Sequence, residues 1–306
     1  MRARQLRHAI EDATQMLARA GVGSPRADAE LLAAHVAGTD RGRLAMAEPG
    51  PDFGERYQWL VAKRAERVPL QYLTGTAVFG PVTVRVGPGV FIPRPETEAM
   101  LEWALAQPLS RQPVIVDLCT GSAALALSLW HHRRGARVIA VDDSEEALAY
   151  ARLNVVETAV ELVRTDVGAA DVLHELDGSV DLLVANPPYI PDGVPLEPEV
   201  AEYDPPHALY GGGDGMTVVN QVIDVAARLL RPGGVCAVEH DDTTSDSTVE
   251  AFTRAGCFGE VTARHDLTGR PRFVTAVRDG DRLADVSQRD EDQAIASQPG
   301  AKADRA

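Results

Sequence analysis

The stretch Val114-Ile115-Val116-Asp117-Leu118-Cys119-Thr120-Gly121-Ser122-Ala123 decides the fold. Its first five residues form a short apolar run ended by turn-forming residues, the pattern of a parallel strand buried on both faces. A helix is expected from Ser122 to His132, then a second strand at Arg137–Val141 and a second helix at Glu145–Glu157. Alternation of this kind continues downstream. Strands are expected at Val160–Arg164, Val180–Ala185, Gly234–Glu239, Glu260–Arg264 and Phe273–Val277, with helices near Thr217–Leu230 and Ser245–Ala255. Repeated strand–helix–strand units imply a Rossmann-like α/β fold with a doubly wound, mostly parallel, seven-stranded sheet.

Upstream the periodicity is helical. Leu6, Ile10, Ala13, Leu17 and Ala20 recur at three- and four-residue spacing and give one apolar face. Gly21 and Gly23 end that helix, and Ser24-Pro25 reads as an N-cap followed by proline at the first helical position. A third helix is expected around Tyr57–Glu66. Val82–Val86 and Val90–Ile92 flank Gly87-Pro88-Gly89 and suggest a β-hairpin. Four parts are therefore expected: a helical bundle at 1–75, a hairpin and linker at 76–110, the α/β domain at 111–278 and a polar, disordered tail at 279–306.

Composition narrows the function classes. The 306 residues hold 30 Lys+Arg against 45 Asp+Glu, a net charge of −15. Residues 1–75 carry 11 basic and 9 acidic side chains, so the −17 on residues 76–306 more than accounts for the excess. An acidic α/β domain argues against sequence-independent binding to nucleic acid, which needs phosphate neutralisation. No apolar run approaches the roughly 18 residues of a membrane span, and residues 1–15 lack a signal-peptide core. Cys119, Cys236 and Cys257 form no CxxC pair. A disulfide scaffold and a cysteine-built zinc site are excluded, no metal is expected, and a cytoplasmic monomer is the expectation.

Two segments carry the chemistry. In open α/β sheets, ligands bind outside the carboxyl ends of the strands, where the Asp117–Ala123 turn lies. Asp142 ends the second strand 21 residues after Gly121, where a carboxylate can accept both hydroxyl protons of a ribose. A single glycine is weak as a dinucleotide fingerprint and fits a nucleoside without a pyrophosphate, such as S-adenosyl-L-methionine. Asn186-Pro187-Pro188-Tyr189 follows the apolar strand Val180–Ala185 and faces the same crevice. The prolines cannot donate hydrogen bonds, so neighbouring carbonyls stay available as acceptors, and the Asn side chain adds one acceptor and two donors. Such a loop can clamp a planar –NH2 group, with Tyr189 over its plane, in line with an electrophilic methyl.

Asn186–Tyr189 and the Asp117–Ala123 turn together resemble the class I S-adenosylmethionine methyltransferases that alkylate amide or exocyclic nitrogens. Phe91-Ile92-Pro93-Arg94-Pro95-Glu96-Thr97-Glu98, the preceding Pro69–Gly75, and the Gly-rich Ala208–Met216 narrow the likeness. They resemble the HemK/PrmC family of protein-(glutamine-N5) methyltransferases, which act on peptide chain release factors. The resemblance implies that Cys119, Thr120, Gly121, Ser122 and Ala123 line the methionine part of the cofactor. By the same likeness Asp142 holds the ribose, Val167 packs against adenine, and Asn186 touches both cofactor and substrate. Asn186, Pro187, Pro188 and Tyr189 would then hold the glutamine amide of a Gly-Gly-Gln tripeptide, with the bundle docking the release factor. An acidic domain meeting a basic partner should also bind it less well at raised salt.

The chain departs from the family at Cys119 and Ala123, where glycine is usual; Cys119 is tolerated there if its φ is negative, Ala123 adds only a methyl group at the helix start, and both would tighten the pocket. His240 is expected in a partly exposed loop beside Asp241 and Asp242, His207 in a structural turn, and His131-His132 at a solvated helix end. Cys119 sits where a helix N-terminus stabilises thiolates. Two alternatives remain beside the leading expectation: a DNA or RNA amino-methyltransferase working on adenine N6 or guanine N2, and a non-catalytic adaptor.

Overall fold

The computed structural model describes residues 3–280, so most of the tail expected at 279–306 lies outside the described residues. The N-terminal bundle comprises α1 (Ala3–Arg19), α2 (Pro25–Ala37), α3 (Phe53–Ala65) and the short α4 (Leu70–Thr74). The expected stripe closes its core: Leu6, Ile10, Ala13 and Leu17 pack with Leu32, Phe53, Tyr57 and Leu60. Ser24 precedes α2, but its side chain makes no capping hydrogen bond. Inside the bundle, Arg64 Nε donates to Asp28 Oδ2 at 2.7 Å, a pairing that makes both buried charges tolerable.

The hairpin begins earlier than the sequence suggests. Its strands are β1 (Thr76–Phe79) and β2 (Val82–Arg85), with Phe79 opposite Val82 across a Gly80-Pro81 turn. Val90–Ile92 is not a strand. Val90 and Ile92 are buried against the α/β domain, and the Val90 carbonyl accepts from Tyr72 Oη at 2.8 Å. Apolar content therefore came from packing, while the alternation of Ala77 and Phe79 marked the true strand.

After α5 (Glu98–Leu105), the α/β domain runs β3 (Val114–Leu118), α6 (Ala124–His132), β4 (Arg137–Asp142), α7 (Glu145–Val155), β5 (Val160–Arg164) and β6 (Val180–Ala185). It continues with α8 (Pro198–Tyr203), α9 (Thr217–Leu229), β7 (Leu230–Glu239), α10 (Ser245–Ala255), β8 (Phe258–His265) and β9 (Pro271–Arg278). The seven strands lie in the order β5-β4-β3-β6-β7-β9-β8, parallel except for β9, which is antiparallel to both its neighbours. Helices α5, α6 and α7 pack on one face, and α9 and α10 on the other. All six residues of β6 are buried, and each buried Val or Leu there stabilises the sheet by roughly 1.5–3 kcal/mol. Asp181 is the exception in that strand; Arg231 Nε and the Val114 N–H donate to it at 2.7 and 2.8 Å.

Strand order reverses between β3 and β6, where Leu118 is the register partner of Ala185. The two segments singled out by the sequence thus leave the sheet side by side at its topological switch point. No helix among the described residues is long and apolar enough to cross a membrane.

Candidate active site

Residues 119–123 form a tight reversal between β3 and α6. Cys119, Gly121 and Ala123 all have left-handed backbones, with φ of +58°, +56° and +63°. The negative φ under which Cys119 would be tolerated without strain is therefore not met, and α6 begins at Ala124 instead of Ser122. Glycine adopts this region without strain, whereas a non-glycine residue there costs of order 1–3 kcal/mol. Hydrogen bonds hold the reversal in place. The Thr120 N–H donates to the Val141 carbonyl at 2.9 Å, and Thr120 Oγ1 and the Ala126 N–H both donate to Asp117 Oδ2, at 2.6 and 3.1 Å. Burial pushes the Asp117 carboxyl up to about 7.

Asp142, at the end of β4, accepts from the Gly121 N–H at 2.8 Å through Oδ2 and from the Ser144 N–H at 3.0 Å through Oδ1. Burial raises its pKa, and the two N–H donors oppose the rise. Cys119 lies among Asp117, Asp142, Asp143 and Asp166. Burial, followed by those carboxylates, raises its thiol well above its usual value. The thiolate-stabilising setting expected there is thus reversed: the thiol stays protonated.

A cavity of about 1030 Å³ opens over the switch point. Cys119, Thr120, Gly121, Ser122, Asp142, Val167 and Asn186–Tyr189 all line it. Ala123 does not: it is fully buried and packs in the core of the α/β domain. Adding a Cβ at Gly121 would meet nothing within 4 Å, so the turn leaves open space in front of its backbone. Acidic walls at Asp117, Asp142 and Asp166 suit a ligand with net positive charge, and a sulfonium nucleoside such as S-adenosyl-L-methionine fits those acceptors.

The Asn186–Tyr189 loop is held from beneath by the Gly-rich segment. The Ile190 N–H donates to the Leu209 carbonyl and the Gly211 N–H to the Ile190 carbonyl, each at 2.9 Å. Gly215 has φ of +75°, and a Cβ there would fall 2.2 Å from the Tyr189 carbonyl oxygen, so only glycine fits. Among the described residues, no donor bonds the carbonyl oxygens of Asn186 or Pro187, which leaves them as acceptors.

Comparison with known proteins fixes the family. The PrmC N-terminal domain model matches residues 8–75, and the methyltransferase small domain model matches residues 82–254. A release factor glutamine methyltransferase of Mycolicibacterium smegmatis is 65% identical over 275 residues, spanning 90% of this chain and 98% of its own length. One from Mycobacterium tuberculosis strain H37Rv is 61% identical over 280 residues, spanning 90% and 92%. The chain belongs to the release factor glutamine methyltransferase family. A solved methyltransferase of Pyrococcus furiosus shares the fold, with a TM-score of 0.52, 19% identity, and coverage of 72% of this chain and 100% of that one.

In this release factor glutamine methyltransferase family member, the Pro93–Glu98 run has structural partners that the sequence did not reveal. Arg94 pairs with the buried Asp204 and stacks over Phe91, Glu98 Oε1 accepts from the Gly80 N–H at 3.1 Å, and Thr97 Oγ1 receives Asn186 Nδ2 at 3.4 Å. Tyr189 Oη donates to Glu239 Oε1 at 2.8 Å, and burial pushes Glu239 up to about 7. Glu239 ends β7 at the carboxyl edge of the sheet, the position rule that could have flagged it.

His240 is fully buried, not partly exposed; burial lowers its pKa, and its Nδ1 faces the Asp241 carbonyl at 2.7 Å. Its backbone continues the pairing of β7 with β9, the His240 N–H donating to the Arg272 carbonyl at 3.0 Å. His207 does more than turn the chain. Its Nε2 lies 2.8 Å from Asp143 Oδ1 across the cavity mouth, and that hydrogen bond raises the imidazole pKa. Among the described residues no group of three or more His, Cys, Asp or Glu could hold a metal ion.

Proposed function

We propose that the chain transfers a methyl group from S-adenosyl-L-methionine to the side-chain amide nitrogen of glutamine in the Gly-Gly-Gln motif of peptide chain release factors. The observation that carries this reading is the shared cavity. Asn186–Tyr189, a loop suited to one planar amide, opens onto the same space as the Cys119–Ser122 turn and Asp142. The names of the 65% and 61% identical relatives support the substrate.

When bound, the cofactor supplies an electrophilic methyl carbon on a positively charged sulfur. The rest is done by the chain. Residues Cys119–Ser122 would line the methionine part, Asp142 would accept from the ribose hydroxyls and Val167 would pack on adenine. Asn186 Oδ1 and the carbonyls of Asn186 and Pro187 would accept both N–H hydrogens of the glutamine amide, aligning its nitrogen with the methyl. Tyr189 would pack over the amide plane. No strong base is needed before attack, because the N–H proton becomes acidic only once the new N–C bond has formed; it then leaves to solvent.

The bundle at 1–75 would dock the release factor. The chain would act as a cytoplasmic monomer on protein rather than on nucleic acid, a reading supported by the −17 carried by residues 76–306. The test is to incubate the protein with methyl-labelled cofactor and a release factor carrying Gly-Gly-Gln. Label should enter the intact factor and not its Gln→Ala variant; equal incorporation into both overturns the reading.

A further inference from the structure

Thr97 and Glu239 lie outside the Asn186–Tyr189 loop yet touch both of its ends. Asn186 Nδ2 reaches Thr97 Oγ1 at 3.4 Å, and Tyr189 Oη donates to Glu239 Oε1 at 2.8 Å. Thr97 is 4% exposed and Glu239 1% exposed, and the Thr97 hydroxyl also faces the Glu239 carboxyl. Glu239 Oε2 is buried with no closed hydrogen bond of its own, an acceptor still in need of a donor. These contacts come from three separate parts of the chain: the turn before α5, the end of β6 and the end of β7.

We propose that Glu239 and Thr97 are positioning residues that set the orientation of the Asn186 amide, turning its Nδ2 inward and its Oδ1 toward the methyl-accepting glutamine. This rests on the function proposed above. An ionised carboxylate is acceptor only, whereas a hydroxyl has one proton and two lone pairs. When Thr97 gives its proton to Glu239, it can only accept from Asn186. The Asn186 side chain must then present Nδ2 to Thr97 and leave Oδ1 for the substrate N–H. A protonated Glu239 removes that constraint, since it can donate to Thr97, and Thr97 can then donate to Asn186 Oδ1. The groups facing the carboxyl are Arg272 from β9, Glu96 from the turn before α5, and the hydroxyls of Tyr189 and Thr97. Arg272 and the two hydroxyls favour the ionised form, while burial and Glu96 oppose it, and the balance lies at about 7.

The polarity of a hydrogen bond separates this role from simple packing. Thr97→Val keeps the volume but loses donor and acceptor; Thr97→Ser keeps both. Thr97→Val should lower kcat for release factor about 10–100-fold, with cofactor Kd unchanged, and Thr97→Ser should recover to within about 2-fold of the wild type. Glu239→Gln should lower kcat similarly and remove the rise of kcat with pH through about 7. Wild-type kcat in Thr97→Val, or an equal loss in Thr97→Ser, overturns the proposal. A second readout needs neither cofactor nor substrate. In 15N-labelled protein, the Asn186 side-chain amide signals should titrate with a midpoint near about 7 in the wild type and stay flat in Glu239→Gln. A flat wild-type profile overturns the proposal. If the wild type methylates no release factor, the substrate reading fails, and the amide titration still decides the orientation.

Discussion

Nη2 of Arg64 lies 3.0 Å from both carboxylate oxygens of Glu199, joining the helical bundle to the segment that follows the Asn186–Tyr189 loop. Arg67 Nε adds a second donor to Glu199 at 2.8 Å, while Arg64 keeps its own bundle partner, Asp28. Nearby, Tyr203 Oη donates to the Glu66 carbonyl at 3.4 Å. This strap connects the bundle mechanically to the segment that follows the loop.

Glu199→Ala should therefore act on substrate handling more than on the cofactor. It should destabilise the protein by about 1–2 kcal/mol, between an exposed and a fully buried ion pair, because Glu199 is partly exposed and Asp28 still neutralises Arg64. Denaturant unfolding should report the loss. KM for release factor should rise while cofactor Kd, measured by calorimetry, stays unchanged.

Asp142→Asn tests the cofactor side. The substitution keeps the shape but leaves one acceptor oxygen for the Gly121 and Ser144 N–H groups, both of which Asp142 now satisfies. Losing charge-assisted acceptance at this point should weaken S-adenosyl-L-methionine binding about 10–100-fold by calorimetry. Unchanged affinity would remove Asp142 from the proposed site.

The left-handed backbone at Cys119 makes an opposite pair of predictions. Cys119→Gly relieves the strain but makes the unfolded chain more flexible, so its stability should stay within about 1 kcal/mol of the wild type. Cys119→Val places a β-branched side chain at positive φ and should be less stable than Cys119→Gly by about 2 kcal/mol or more. Thermal and denaturant melts of the two variants side by side give the comparison.

His207 and Asp143 should make loop docking sensitive to pH. The hydrogen bond raises the folded-state imidazole pKa above its usual 6.5. Its stabilisation is thus fully present below about pH 6.5 and fades as pH rises through the folded-state value. Because His207 is largely exposed, the effect should stay under about 1 kcal/mol. NMR titration of the His207 ring should give a midpoint above 6.5, and His207→Gln should abolish the matching change in stability with pH.

Local patterns made the sheet legible. Val114–Leu118 and Val180–Ala185 read as buried strands because strands covered on both faces must be continuously apolar, and Asp142 and Asn186 followed as strand-end residues. Helical spacing likewise found the face of α1. Val90–Ile92 misled because apolar residues mark burial without specifying the backbone that achieves it.

The sequence by itself determined the succession of the seven strands of the sheet, the turn and loop at their carboxyl ends, and the chemistry those residue types allow, since each depends on neighbours along the chain. Only the tertiary structure decided that Cys119 and Ala123 turn left-handed, that His240 is fully buried, and that Thr97 and Glu239 meet the two ends of one loop. Those outcomes depend on contacts between residues far apart along the chain, 89 positions in the case of Thr97 and Asn186. Distance along the chain carries no periodic signal for them; the winding of the sheet about its switch point brings them together.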